Sequence, residues 1–233
     1  MNEENYNFFA MLNRLSLIER WSLMQCRQKE NVCEHSYQVA IIVQALYYIR
    51  LNKLTAVTLP QIKLDLGELL QLALLHDATE VITGDLPTPV KYYNPELKQA
   101  YKVVEDIAAQ RLLALLPSEL QANYRPLILT GENTAAAGTL SEQQKLNRLF
   151  IKAADKISAL IKCRQEAALG NQEFAAACSK TEQRIGELQL PEADYFVQHF
   201  VRAFSMSLDD LNHAALDAES KESVILQNEY RIE

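Results

Sequence analysis

Cysteine, glycine, proline and positive charge are all in short supply in this chain, and each shortage excludes something. The four cysteines, Cys26, Cys33, Cys163 and Cys178, form no C-x-x-C pair. That excludes a zinc ribbon and a thioredoxin-type dithiol, and the thiols read as reduced groups of a cytoplasmic protein. Six glycines and seven prolines in 233 residues argue against a turn-rich β protein. Lys and Arg number 23 against 30 Asp and Glu, a formal net charge of -7. Such a balance argues against a surface that binds nucleic acid polymers. No apolar run approaches the length of a membrane span. The acidic start, Met1-Asn-Glu-Glu-Asn-Tyr6, lacks a signal-peptide pattern.

What remains is an ordinary globular composition, 48% apolar and 23% charged, with enough chain for one sizeable core. The apolar residues recur at helical spacing almost throughout. Phe8, Phe9, Leu12 and Leu15 mark a first segment ending near Glu19, and an irregular stretch runs from Arg20 to Asn31. Residues 34–51 read as a helix through Val39, Ile42, Val43, Leu46 and Tyr47. Pro60 opens the next segment. Residues 67–82 are apolar on most faces, the mark of a central helix. Gly84 ends that helix, and the two prolines of Asp85-Leu-Pro-Thr-Pro89 keep it ended. Further helices are expected over 95–116, 142–169, 171–188 and 192–206, with a surface loop at 131–141. No alternating segment is long enough for a sheet. The expectation is one all-α domain over 1–211, followed by a polar, frayed tail over 212–233.

Inside these apolar runs sit groups that a plain core would not contain. His76 and Asp77 close the central helix in Leu72-Ala-Leu-Leu-His-Asp-Ala-Thr-Glu80. His35 lies at the start of the 34–51 helix, and Asp155 lies in Phe150-Ile-Lys-Ala-Ala-Asp. A carboxylate buried without a partner is costly, so a cation is expected opposite. Two imidazoles and two carboxylates suit one divalent ion of borderline preference, Mn, Fe, Co or Zn. Glu80, three residues after Asp77 and four after His76, shares their helix face and is placed for proton transfer. Asp85 follows in a proline-held loop that can shape the mouth of a site. Each residue has a plainer reading. A lone helical His is usually a hydrogen-bonded structural group, Asp155 has Lys152 and Lys156 within a turn, and Glu80 alone is a solvated helix residue. The combination carries the metal reading.

The order His, then His-Asp, then Asp, over about 120 residues, resembles the HD-domain phosphohydrolase superfamily. The likeness sharpens in Arg20-Trp-Ser-Leu-Met, Glu30-Asn-Val-Cys-Glu-His-Ser-Tyr-Gln-Val-Ala, Lys152-Ala-Ala-Asp and the long block from His76 to Tyr92. These resemble the YfbR-type 5′-deoxynucleotidases, over about residues 6–210. The resemblance implies an HD-domain bundle of roughly eight or nine helices. It implies metal ligation by His35, His76, Asp77 and Asp155, with His35, Asp77 and Asp155 also facing substrate. Catalytic work falls to Glu80, Asp85 and Arg20. Substrate contacts come from Asp85, Leu86, Pro87 and Thr88. Arg20 orients the phosphate, and Trp21 packs on the deoxyribose so that a 2′-hydroxyl is shut out. The implied activity is hydrolysis of deoxyribonucleoside 5′-monophosphates by a homodimer. Two alternatives stay open: an HD-type hydrolase of a triphosphate or cyclic nucleotide, and a non-catalytic nucleotide sensor. The 130–141 loop and the tail after 210 are longer than the family needs.

Overall fold

The structure, a computed structural model, describes residues 5–54, 62–91, 93–129 and 140–213. Among them there is no strand, and one isolated antiparallel bridge joins Glu19 to Asn31. The expected segment at Pro60, most of the 131–141 loop and all but the first two residues of the 212–233 tail lie outside the described residues.

Two long helices organise the molecule: α2 over Val32–Asn52 and α8 over Glu142–Ala168. Both begin in capping boxes. The Asn31 side chain accepts from the Glu34 N–H while Glu34 accepts from the Asn31 N–H, and Ser141 and Gln144 repeat the exchange. Against α2 pack α3 (Leu66–Leu75), α8 and α10 (Pro191–His199), and α9 (Ala175–Gly186) packs on α8. Val39, Ile42, Val43 and Leu46 of α2 meet Leu69 and Ala73 of α3 and Phe150, Ala153, Ile157 and Ile161 of α8. A buried ion pair, Arg50 to Glu192 at 2.6 Å, ties α2 to α10.

A second apolar cluster joins α1 (Phe8–Asn13), α6 (Pro95–Leu113) and α7 (Ser118–Ile128) through Phe8, Ala109, Leu112, Leu113 and Ile128, and reaches Ala78. Because Ala73 belongs to the first cluster and Ala78 to the second, residues 76–79 lie on the seam between them.

Three of the departures from the periodicity have a local cause. The expected helix over 67–82 is interrupted after Leu75 and resumes as the single turn α4, Glu80–Thr83. Its cause is local. The His76 ring donates Nδ1–H to the Ala73 carbonyl at 2.7 Å, the acceptor that the Asp77 N–H would take in an α-helix. The chain tightens to i→i+3 bonds, Ala78 to Leu75 and Glu80 to Asp77, both at 3.0 Å. Next, Pro89 does not merely break helix. It sits in the first turn of α5, Thr88–Lys91, where its missing N–H costs nothing. Finally, α7 was not expected at all, because Pro126 lies inside it. At the ninth of eleven helical positions that proline sacrifices one bond near the end.

Candidate active site

Four elements deliver the site. His35 comes from the first turn of α2, His76 and Asp77 from the tightened turn after α3, Asp155 from the middle of α8, and Arg20 and Trp21 from the loop before α2. One ligand atom each from His35, His76 and Asp155 lies within 4.8 Å of the other two. Donors about 2.0–2.2 Å from a shared ion lie at most about 4.4 Å apart, so the cluster needs to close by only a few tenths of an ångström to hold a single ion. Asp77 falls outside that mutually close set. Its Oδ2 nevertheless lies 3.0 Å from His76 Nε2 and 3.6 Å from His35 Nε2. His35 Nε2 and Asp155 Oδ1 are 3.3 Å apart.

The two imidazoles are prepared as ligands by what holds their other nitrogens. The Ser158 hydroxyl donates to Gln38 Oε1 at 2.5 Å, so its lone pair is left to accept Nδ1–H of His35 at 3.0 Å. A carbonyl accepts only, so His76 also carries hydrogen on Nδ1, facing Ala73. Both Nε2 atoms point into the cluster, are buried, and have no aligned hydrogen-bond partner. Buried nitrogens of this kind are rare unless something else satisfies them. The donor set and these orphaned atoms fit a divalent ion.

Electrostatics agrees with that reading. Burial, then the Arg20 charge, hold the His35 pKa below its ordinary value, against the pull of Asp155 and Asp77. The ring is therefore neutral, the form that ligates. Burial also works against a charged His76, but Asp77 and Asp155 outweigh it and raise its pKa to about 9. Metal uptake would displace that proton. Burial opposes ionisation of Asp155 and Asp77, yet the neighbouring imidazoles hold both below the usual carboxylate range, with Arg20 helping at Asp155. Glu80 is the exception. Burial, then the charges of Asp77 and Asp85, push its carboxyl far up, and its Oε2 is buried without a partner. Asp85 is raised by burial first and Asp77 next.

Arg20 reaches the cluster from outside. Its Nη2 lies 4.0 Å from Asp155 Oδ1, and its Nη1 pairs with Glu30 Oε2 at 3.1 Å. Trp21 Nε1–H donates to the same Glu30 oxygen at 2.8 Å. Leu86 and Pro87 are half-buried and Thr88 is exposed at the start of α5. Among the described residues no hydrogen bond links them to the cluster. Sequence reasoning gave no role to Ser158, Gln38 or Glu30, although Glu30 and Gln38 stand in a block that carries the family likeness. Ser158 lies three residues after Asp155, on the face of α8 turned to α2, and that spacing is the one signal that could have found it.

The fold has close parallels among solved structures. An HD-domain phosphohydrolase of Listeria innocua superposes with a TM-score of 0.67 at 23% identity, over 92% of this chain and 98% of that one. A cyanophage S-2L HD phosphohydrolase, solved with dA and one catalytic Zn2+ ion, superposes at 0.55 with 18% identity, over 83% and 95%. The fold is therefore that of the HD-domain phosphohydrolases. Within it, residues 7–204 match the profile of the YfbR-like 5′-deoxynucleotidases. A 5′-deoxynucleotidase of Vibrio vulnificus is 41% identical over 206 residues, 88% of this chain and 98% of that protein. One of Yersinia pestis is 42% identical over 211 residues, 91% and 99%. The chain belongs to the YfbR-like 5′-deoxynucleotidase family.

Proposed function

We propose that this chain is a metal-dependent phosphomonoesterase that converts deoxyribonucleoside 5′-monophosphates to the deoxynucleoside and phosphate. The observation that carries the reading is the convergence of His35, His76 and Asp155 within 4.8 Å in a chain of this family, with Arg20 at the rim. His35, His76, Asp77 and Asp155 would hold one divalent ion, and the set suits Mn, Fe, Co or Zn. When bound, such an ion supplies positive charge for phosphoryl oxygens and lowers the pKa of water beside it.

The protein's own groups do the rest. Arg20 forks onto phosphoryl oxygens and balances the charge that builds on them. Glu80 and Asp85 orient the attacking water and carry protons. Water oxygen bonds to phosphorus, the bond from phosphorus to the 5′-oxygen breaks, and the 5′-oxygen leaves with a proton. Asp85, Leu86, Pro87 and Thr88 line the approach, while His35, Asp77 and Asp155 face the phosphate. Trp21 packs on the sugar where a 2′-hydroxyl would clash. The protein works in the cytoplasm, in keeping with its four free thiols. It works as a homodimer, which the exposed apolar stripe of Tyr37, Ile41, Tyr48 and Leu51 along α2 supports.

Two variants test the assignment together. After chelation, the wild-type protein is expected to take up one equivalent of Mn, Co or Zn by calorimetry. His76→Ala should lose both the ion and turnover. Glu80→Gln should keep the ion and lose about 10²–10⁴-fold in turnover. Full turnover in His76→Ala would contradict the reading.

A further inference from the structure

Trp21 has φ +59°, in the left-handed region that a bulky side chain avoids. A non-glycine residue held there costs on the order of 1–3 kcal/mol and persists only where its surroundings impose it. Three contacts impose it here. The Trp21 carbonyl accepts the Met24 N–H at 2.8 Å, closing a turn. The ring lies 5.4 Å from that of Phe174, which is fully buried. The indole N–H is held by Glu30 Oε2 at 2.8 Å.

That one oxygen also receives Arg20 Nη1 at 3.1 Å. The other oxygen of Glu30 lies 4.0 Å from His35 Nδ1. The backbone makes this placement obligatory. Arg20 N–H donates to the Glu30 carbonyl at 2.9 Å, Glu19 bridges to Asn31, and Val32 N–H donates to the Ile18 carbonyl at 3.1 Å. The loop is thus closed like a clasp, with Glu30 facing the two residues it holds. Its side chain is only 12% exposed, so water competes weakly for these bonds.

We propose that Glu30 is a positioning residue for sugar selectivity: it locks the Arg20 guanidinium and the Trp21 indole into one rigid unit, so that phosphate and sugar are read at a fixed separation. The proposal rests on the nucleotidase reading above. Without Glu30 the guanidinium remains near Asp155 and still attracts phosphate, but the indole is free to leave its strained conformation. The filter against the 2′-hydroxyl should then fail before the chemistry does.

Trp21 is the only tryptophan in the chain, so its fluorescence reports this one contact. Glu30→Gln is nearly isosteric but presents an amide to two donors. The experiment follows three readouts in the metal-loaded protein: Trp emission with acrylamide quenching, metal content, and kcat and KM for paired deoxy- and ribonucleoside 5′-monophosphates. Glu30→Gln is expected to shift emission to the red and raise quenching. It should also cut the deoxy-to-ribo ratio of kcat/KM about tenfold, the loss of the negative charge that strengthens the bonds from Arg20 and Trp21, mostly through KM, at unchanged metal content. Trp21→Phe approaches the same contact from the other side. In that background Glu30→Gln should change the ratio little further. Unaltered emission and an unaltered ratio in Glu30→Gln would overturn the proposal, as would full additivity of the two variants. If the wild type releases phosphate from no nucleotide, the nucleotidase reading falls, and the fluorescence arm separately decides whether Glu30 holds Trp21.

Discussion

Ser158 illustrates how much of this site depends on residues outside the candidate ligand set. Its hydroxyl hydrogen is committed to Gln38, which leaves a lone pair for His35 Nδ1–H and turns the bare Nε2 toward the cluster. Since His35 is fully buried, no water takes over if that acceptor is lost. Ser158→Ala should weaken binding of a divalent ion by about 10–100-fold, measured by competition with a chelating dye, while excess metal restores most of kcat. An unchanged affinity would show that packing alone orients the ring. His76 obtains the same result from the Ala73 carbonyl, so a side-chain substitution cannot remove its acceptor. Glu80 stands apart from both. Burial and two carboxylate neighbours, Asp77 and Asp85, disfavour its charge, an arrangement that costs stability.

At the scale of elements, the loop from Arg20 to Asn31 has no regular structure beyond its bridge, yet it is anchored at both ends. Glu30 holds one end, and Glu166 near the end of α8 holds the other. Glu166 accepts N–H from Arg27 at 2.8 Å and Gln28 at 3.0 Å, and side-chain bonds from Lys162 at 2.7 Å and Asn171 at 2.8 Å. Lys162 also donates to the Gln28 carbonyl. Burial pushes the Glu166 carboxyl up, but these donors prevail and lower its pKa from 4.5 to about 2. A depressed folded-state pKa stabilises the fold above the ordinary value and loses that contribution as pH falls toward the folded one. Glu166→Gln should therefore lower Tm most at pH 6–7, with the gap to wild type closing between about pH 4.5 and 2. A gap constant down to pH 2 would mean that the charge contributes nothing.

Elements also differ in how visible they are in the sequence. Helices α2 and α8 are plain from their apolar spacing, and their ends are marked by Asn31, Glu34, Ser141 and Gln144. Helix α7 is hidden because Pro126 reads as a stop, and the sequence does not say that a late proline costs only one bond. The break between α3 and α4 is invisible to periodicity because a side chain, His76, captures a backbone acceptor.

The whole molecule places its polar site on the seam between two apolar clusters, one built on α2, α3 and α8 and the other on α1, α6 and α7. That seam is why ionisable groups distant in sequence meet in surroundings dry enough to shift their pKa values. The residues that converge there were largely legible beforehand, because a histidine or aspartate inside an apolar helical run is conspicuous. Glu30 was not, since it lies in an irregular stretch without apolar spacing, where a lone carboxylate between Lys29 and Asn31 looks like solvated surface. Only the folded clasp brings it to Arg20 and Trp21. Leu86, Pro87 and Thr88 are the reverse case. The resemblance singles them out, but among the described residues no hydrogen bond links them to the cluster.

The central claim is that this fold holds a metal-dependent esterase site that reads both phosphate and sugar. It is tested most directly by phosphate release from deoxy- and ribonucleoside 5′-monophosphates, deoxynucleoside 3′-monophosphates and triphosphates, each with and without Mn, Co or Zn after chelation. The account predicts release from the deoxyribonucleoside 5′-monophosphates, lost on chelation and restored by the ion, with the ribonucleotides, 3′-esters and triphosphates left nearly intact. Metal-independent release, or release of pyrophosphate or triphosphate from the triphosphates with none from the monophosphates, would contradict it.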